Sequence, residues 1–226
     1  MNNKPLLELL NHGDDCREFF KNAYNNRYTW DSSFNGYLGN CSWESDSDLI
    51  KGNFKVNSDS SAIVEDIDDS RIKKEILSQL WEVAIHRVRR PFESVHGENQ
   101  FIVNTINGSE INIDVTGKNI GDKYIINNNI VTMVHRHIHG NLINIFTLET
   151  IDTGKGYLSK KYTSQYLDPS SKLPIKPKLL FKDTFTLIDK SDIWVLSRRE
   201  IETLNDSGNK KDRQVFNFYN IKYLSK

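Results

Sequence analysis

Cysteine is nearly absent: Cys16 and Cys41 are the two in 226 residues. They are too few and too far apart for a disulfide framework or a cysteine zinc site, and both read as ordinary reduced thiols. Of the five prolines, Pro169, Pro174 and Pro177 fall between Asp168 and Pro177, which predicts a loop there. No uninterrupted apolar run approaches the roughly 18 residues of a spanning helix, so no transmembrane segment is expected. The apolar stretch at the N-terminus is short and interrupted by Glu8, which argues against a signal peptide and for a reducing, cytoplasmic setting. Thirty basic and thirty acidic residues cancel. That removes the broad electrostatic drive of nonspecific nucleic-acid binding, so no nucleic-acid partner is expected. Catalytic signatures are missing as well: there is no Gly-x-Ser-x-Gly elbow and no His-Glu-x-x-His helix. The run Asp152-Thr153-Gly154-Lys155-Gly156-Tyr157 lacks phosphate-loop spacing and reads as a hairpin loop.

What the chain does contain is aromatic side chains, at 11%, within a modest hydrophobic content of 37%. This fits a folded chain with a polar surface. Asp15-Cys16-Arg17-Glu18 has the spacing of a capping box, and Phe19, Phe20, Ala23 and Tyr24 follow at helical intervals. A second, longer helix is predicted over 70–90, with Ser70 as its cap and Pro91 ending it. Ile72, Ile76, Leu77, Leu80, Trp81, Ala84, Ile85 and Val88 form its broad apolar stripe, with Lys73, Lys74, Glu75, Gln79 and Glu82 opposite.

Nearly everything else alternates as strands do: 34–44, 49–57, 60–65, 101–105, 111–115, 123–127, the pair within 130–149, then 156–167, 178–188, 192–203 and 214–224. Asn107-Gly108, Asn127-Asn128-Asn129 and Gly140-Asn141 mark tight turns, and Asn205–Arg213 reads as a loop. The expected fold is α+β. A large antiparallel sheet of about ten or eleven strands curls as a half-barrel around the long helix, with a short N-terminal helix beside it. The expected organisation is a flexible segment over 1–13 and a single domain over 14–226. That order of elements resembles the lipoprotein-carrier half-barrels, which hold acyl chains between helix and sheet.

Strand alternation in the first half of 130–149 places His135, His137 and His139 on one face with Val131 and Met133, and Arg136 on the other. Residues two apart lie roughly 6.5–7 Å apart, so one His-x-His pair could share a metal ion with an imported His96, Glu93 or Glu149. The same imidazoles could line a polar sheet face or orient the polar end of a ligand. No metal or other cofactor is assigned. His86, Arg87, Arg89 and Arg90 crowd the end of the long helix, where cations offset its dipole and where Arg90 could also hold an anion. Tyr28 and Trp30, with Phe34 and Tyr37, form an aromatic cluster suited to a core edge or a stacking platform. The candidate ligand-binding set is therefore His135, His137, His139, Arg136, Arg90, His86, Tyr28 and Trp30, and no catalytic residue is singled out.

Four runs carry a further likeness: Arg27-Tyr28-Thr29-Trp30, His86-Arg87-Val88-Arg89-Arg90-Pro91-Phe92, His135-Arg136-His137-Ile138-His139-Gly140 and Asp152-Thr153-Gly154-Lys155-Gly156-Tyr157-Leu158-Ser159. Over residues 16–204 the chain resembles an uncharacterised family of cyanobacteria and other oxygenic phototrophs. The resemblance implies a phototroph setting, cytosolic or at the thylakoid surface, and transfers no activity. The function expected is non-catalytic binding of an apolar or amphipathic ligand, a lipid or pigment, with a photosynthetic membrane protein as partner. The competing expectations are a histidine- or metal-dependent enzyme and a scaffold without ligand.

Overall fold

The computed structural model describes residues 13–138, 140–188, 191–205 and 207–224. Among them are α1 (Gly13–Asn25), β1 (Gly36–Glu44), β2 (Leu49–Asn57), β3 (Ala62–Glu65), α2 (Ser70–Arg87), α3 (Phe92–His96), β4 (Asn99–Asn107), β5 (Glu110–Gly117), β6 (Lys123–Asn127), β7 (Ile130–Ile138), β8 (Asn141–Asp152), β9 (Tyr157–Leu167), β10 (Lys178–Leu187), β11 (Trp194–Leu204) and β12 (Lys210–Tyr223). The strands form one open antiparallel sheet of twelve, ordered β3-β2-β1-β12-β11-β10-β9-β8-β7-β6-β5-β4. The fold is thus α+β as expected, with one or two strands more than the count read from the sequence. Short turns between successive strands enforce the meander, and the β1–β12 pair is the one non-consecutive neighbour.

The turns show why the register holds. Asn128 and Asn129 adopt φ of 49° and 61°, the left-handed pair of a two-residue hairpin, which asparagine tolerates better than most residues. Ile138 faces Asn141, so the β7–β8 turn lies one residue earlier than expected. His139 lies outside the described residues, as do residues 1–12 of the N-terminal stretch; Gly13 already begins α1. Lys210 starts β12 inside the stretch expected to be loop.

The chain divides into two compact units, Met1–Tyr28 with Arg90–Leu180 and Thr29–Arg89 with Phe181–Lys226. In the first, α1 supplies Cys16, Phe20, Ala23 and Tyr24, spaced to share one helix face. They pack against Phe92 of α3 and against Phe101, Ile111, Ile113, Val115, Tyr124 and Ile126 of the sheet. The Phe20 ring sits 4.6 Å from those of both Phe101 and Tyr124 and 5.2 Å from His96. Here the short helix, rather than the long one, carries the apolar cluster. Gly156 in the β8–β9 loop passes so close to α1's exit that a side chain would strike the Asn26 carbonyl at 2.4 Å.

In the second unit, α2 is capped by Asp69, not Ser70: its carboxylate accepts from the Arg71 and Ile72 amides at 2.8 and 3.1 Å. The helix ends at Arg87, before Pro91 is reached. Its buried face is Ile72, Ile76, Gln79, Leu80, Val83 and Ala84, so Gln79 turns inward and Trp81, 54% exposed, turns outward. The reason for Gln79 lies on β11. Arg199 forms a bidentate pair with Asp183 (2.8 and 2.7 Å), and its remaining nitrogen donates to Gln79 at 3.0 Å and lies 3.3 Å from Glu82. Burial pushes the Asp183 carboxyl up, against the pull of the Arg199 guanidinium. Tyr37, Cys41 and Trp43 of β1 alternate onto the same face with Phe54, Val56, Phe216 and Phe218. Trp30 joins this core, donating to the Trp194 carbonyl at 3.1 Å.

Candidate functional site

On the other face of the second unit's sheet the registers bring four residues into one row. Ile63 of β3 faces Lys55 of β2, which faces Leu38 of β1, which faces Lys222 of β12. Cross-strand neighbours of this kind stand about 4.5–5.5 Å apart, so apolar and cationic side chains alternate along one line. Two residues further on, Glu65, Asn53, Asn40 and Tyr219 make the next row.

Between the rows the β1–β12 register slips. Asn220 and Ile221 together oppose Gly39, a β-bulge with Asn220 at φ 53°. Gly39 is required because a Cβ there would meet the Tyr219 carbonyl at 2.7 Å and the Phe54 ring at 3.0 Å. The bulge aims Asn220 along the sheet surface. Its amide donates to Asn40 (2.8 Å), Asn40 donates to Asn53 (2.6 Å), and Asn53 donates to Asp66 (2.5 Å). The result is an open groove of about 820 Å³, walled by Leu38, Ile63, Ile221 and Tyr223, with the three asparagines beside it. Leu38 and Ile63 are 37% and 47% exposed. Lys55 and Lys222 also line the groove and make no ion pair among the described residues. Such a volume lies within the range of small-molecule sites, and two ammonium groups without ion pairs among the described residues, against one lining carboxylate, Glu65, suit an anion with an apolar body.

The sequence-derived candidates are distributed differently. His135 lies on β7 with its Nδ1 2.6 Å from the Asn144 amide oxygen. His137, its ring 6.4 Å from that of His135, has its amide donating to Asp122 at 3.1 Å. The face they share is opposite the α1 cluster: their neighbours there are Lys123, Met133 and the exposed Phe146. Val131 does not share it, because a register shift between Ile125 and Ile126 turns Val131 and Val134 together toward the core. His139 lies outside the described residues. Arg136 points to the core side, where its Nε donates to the buried Asp122 at 3.0 Å. Arg90 is exposed and its carbonyl accepts from the Tyr24 hydroxyl. Tyr28 is buried in the first unit, while His86 and Trp30 belong to the second.

The residues that could have completed a metal set are engaged elsewhere. Glu93 pairs with Arg17, and Glu149 with Lys161. His96 is enclosed by Phe20, Tyr24, Phe92 and Phe101, and its Nδ1 meets the Asn99 amide nitrogen at 3.0 Å. Burial, reinforced by Arg136, Arg27 and Arg17, pushes the His96 imidazole down to about 4. Among the described residues no three His, Cys, Asp or Glu side chains form a metal-holding group.

The groove residues Leu38, Lys55, Ile63 and Lys222 escape a reading of the sequence because each is an ordinary outward residue of its own strand. Only three registers and one bulge make them neighbours.

Solved structures similar to the chain include a LolA superfamily protein from Nitrosomonas europaea, at 10% identity and a TM-score of 0.33, covering 93% of this chain and 94% of that one. A DUF1329 family protein from Desulfovibrio piger is 9% identical with a TM-score of 0.26, covering 94% and 95%. A chain of the MucA/MucB complex of Pseudomonas aeruginosa is 8% identical with a TM-score of 0.24, covering 94% and 100%. No curated protein matches the chain. The family match runs past both ends of the 16–204 stretch: the model of DUF3386, proteins of unknown function, covers residues 11–224, and this chain belongs to that family.

Proposed function

We propose that the protein binds a small amphipathic anion, of the lipid or acidic-pigment class, in the groove on the outer face of β12-β1-β2-β3. The observation that carries this is the row Ile63–Lys55–Leu38–Lys222, which sets two lysines, without ion-pair partners among the described residues, beside aliphatic walls. Leu38, Ile63 and Ile221 would receive the apolar body, and Lys55 and Lys222 the anionic end. The asparagine chain offers neutral donors and acceptors to polar groups beside it. On this reading the protein is a carrier or sensor and does no covalent chemistry. The phototroph setting, a place at the thylakoid surface and a photosynthetic membrane partner belong to the same proposal and rest on the sequence resemblance alone.

Titration with a fluorescent fatty acid, cis-parinaric acid, tests it. Saturable binding is expected, weakened about tenfold or more in Lys55→Glu/Lys222→Glu and likewise in Leu38→Asp, with folding unchanged by circular dichroism. Absence of saturable binding, or affinity untouched by these substitutions, overturns the reading.

A further inference from the structure

Helix α2 is apolar on two sides. One side, Ile72, Ile76, Leu80, Val83 and Ala84, is buried against the sheet. Leu77, Trp81, Ile85 and Val88 recur at spacings of four, four and three. At about 100° per residue these four fall within roughly 80° of arc, centred roughly 130° round from the buried side and adjoining it at Ala84. Trp81 is 54% exposed and Val88 37%. Leu77 and Ile85 are half-buried.

The charge around this ridge has one dominant sign. Of the five lysines and arginines in residues 70–89, Arg71 pairs with Asp69 and Arg87 packs over the Phe185 ring, which leaves Lys73, Lys74 and Arg89 near the ridge, against the two glutamates of the stretch. Lys74 falls within the same arc as Trp81, Lys73 flanks it, and Arg89 follows the last turn; Lys74 and Arg89 are exposed. Of the two glutamates, Glu82 is turned toward Arg199 at 3.3 Å. The helix is held rigidly in this attitude by the Asp69 cap and by the Arg199–Gln79 bond. No helix of the described residues is long and apolar enough to cross a membrane.

We propose that this outward ridge of α2 docks the protein on an anionic lipid surface. Trp81 would sit at the level of the headgroups, where an indole finds both apolar and hydrogen-bonding surroundings. Leu77, Ile85 and Val88 would enter the acyl boundary, while Lys73, Lys74 and Arg89 reach lipid phosphates. A protein partner is the weaker fit, because a ridge of four side chains supplies far less than the roughly 800 Å² per partner of a stable interface. Cations spread over both ends of the ridge match a surface of repeated negative charge. This docking face lies on the opposite side of the second unit's sheet from the groove and does not depend on what the groove binds.

Vesicles of phosphatidylcholine alone and of phosphatidylcholine mixed with phosphatidylglycerol separate the outcomes. Co-sedimentation with the mixed vesicles is expected, weakening as salt rises. Acyl-brominated lipids should quench part of the tryptophan emission, and that part should vanish in Trp81→Phe. Partitioning should fall about tenfold or more in Trp81→Glu and in Lys73→Glu/Lys74→Glu. The lysine pair should also erase the preference for the mixed vesicles. Ile63→Ser, which alters the groove without changing its charge, should leave partitioning unchanged. All these positions are on the surface, so unfolding midpoints should stay near that of the parent chain. No binding to the mixed vesicles, equal binding by Trp81→Glu, or Trp81-dependent capture of an acidic protein without vesicle binding overturns the proposal.

Discussion

The two compact units seat a helix on a sheet by different chemistry. In the first, α1 is held by an aromatic cluster in which Phe20 touches Phe101 and Tyr124, with a single buried imidazole, His96, admitted on condition that it stays neutral. In the second, α2 is held partly by a buried charge pair, Arg199 with Asp183, tied to the helix through Gln79. An apolar cluster tolerates changes of shape by degrees, whereas a buried ion pair fails abruptly when one partner goes.

The sharpest way to break that contrast is to remove one charge. Arg199→Met should cost about 3–5 kcal/mol in urea unfolding, since Asp183 and Gln79 are left buried without their donor. The double variant Asp183→Leu/Arg199→Met should recover most of that loss; if it is as unstable as the single variant, the pair is not the fastening. Phe20→Ala should cost about 3–5 kcal/mol, but Phe20→Leu much less, the graded response of a packed cluster.

Acid should separate the units next. In the unfolded chain His96 takes up a proton near 6.5, and in the folded chain only near 4. Below 6.5 the unfolded state therefore binds more protons, and stability is lost as pH falls from 6.5 toward 4. The loss amounts to about 3 kcal/mol at most, and His96→Asn should flatten it. Arg213, with Arg198 and Lys182, holds the Glu200 carboxyl well below the usual carboxylate range. That stabilisation is full above about 4.5 and is lost only as pH drops further. All four tryptophans, Trp30, Trp43, Trp81 and Trp194, belong to the second unit. Amide protection factors over 99–126, corrected for the slower intrinsic exchange in acid, should thus fall at pH 5 while tryptophan emission stays constant. Emission shifting in step with exchange would refute separate responses. The smallest effect is expected from Asp69→Ala, which removes the α2 cap at a cost of about 1 kcal/mol in the same urea assay.

Much of this architecture was legible because the deciding signals are local. Alternation, together with Asn128-Asn129 and Asn107-Gly108, defines the hairpins, and the periodicity of 70–90 defines α2. The misreadings share one cause, partners distant in sequence. Gln79 looked solvent-facing because Arg199, which buries it, comes 120 residues later. Periodicity groups Trp81 with the core, because eight apolar positions cover more of a helix than one sheet can bury. Alternation places Val131 with the histidines, because the register shift opposite it leaves no local signal. The groove was invisible for the same reason, since it exists only where Asn220 and Ile221 oppose Gly39.

An open sheet keeps two rims with unsatisfied amides, each an invitation to fibril-like stacking of one molecule on the next. Here the β3 rim is four residues long and bracketed by Ser60 and Asp66 in left-handed conformations. The β4 rim is longer, yet its ladder is interrupted between Val103 and Thr105. Neither rim offers an incoming strand a long straight run of backbone, which by itself opposes edge-to-edge stacking of one molecule on the next.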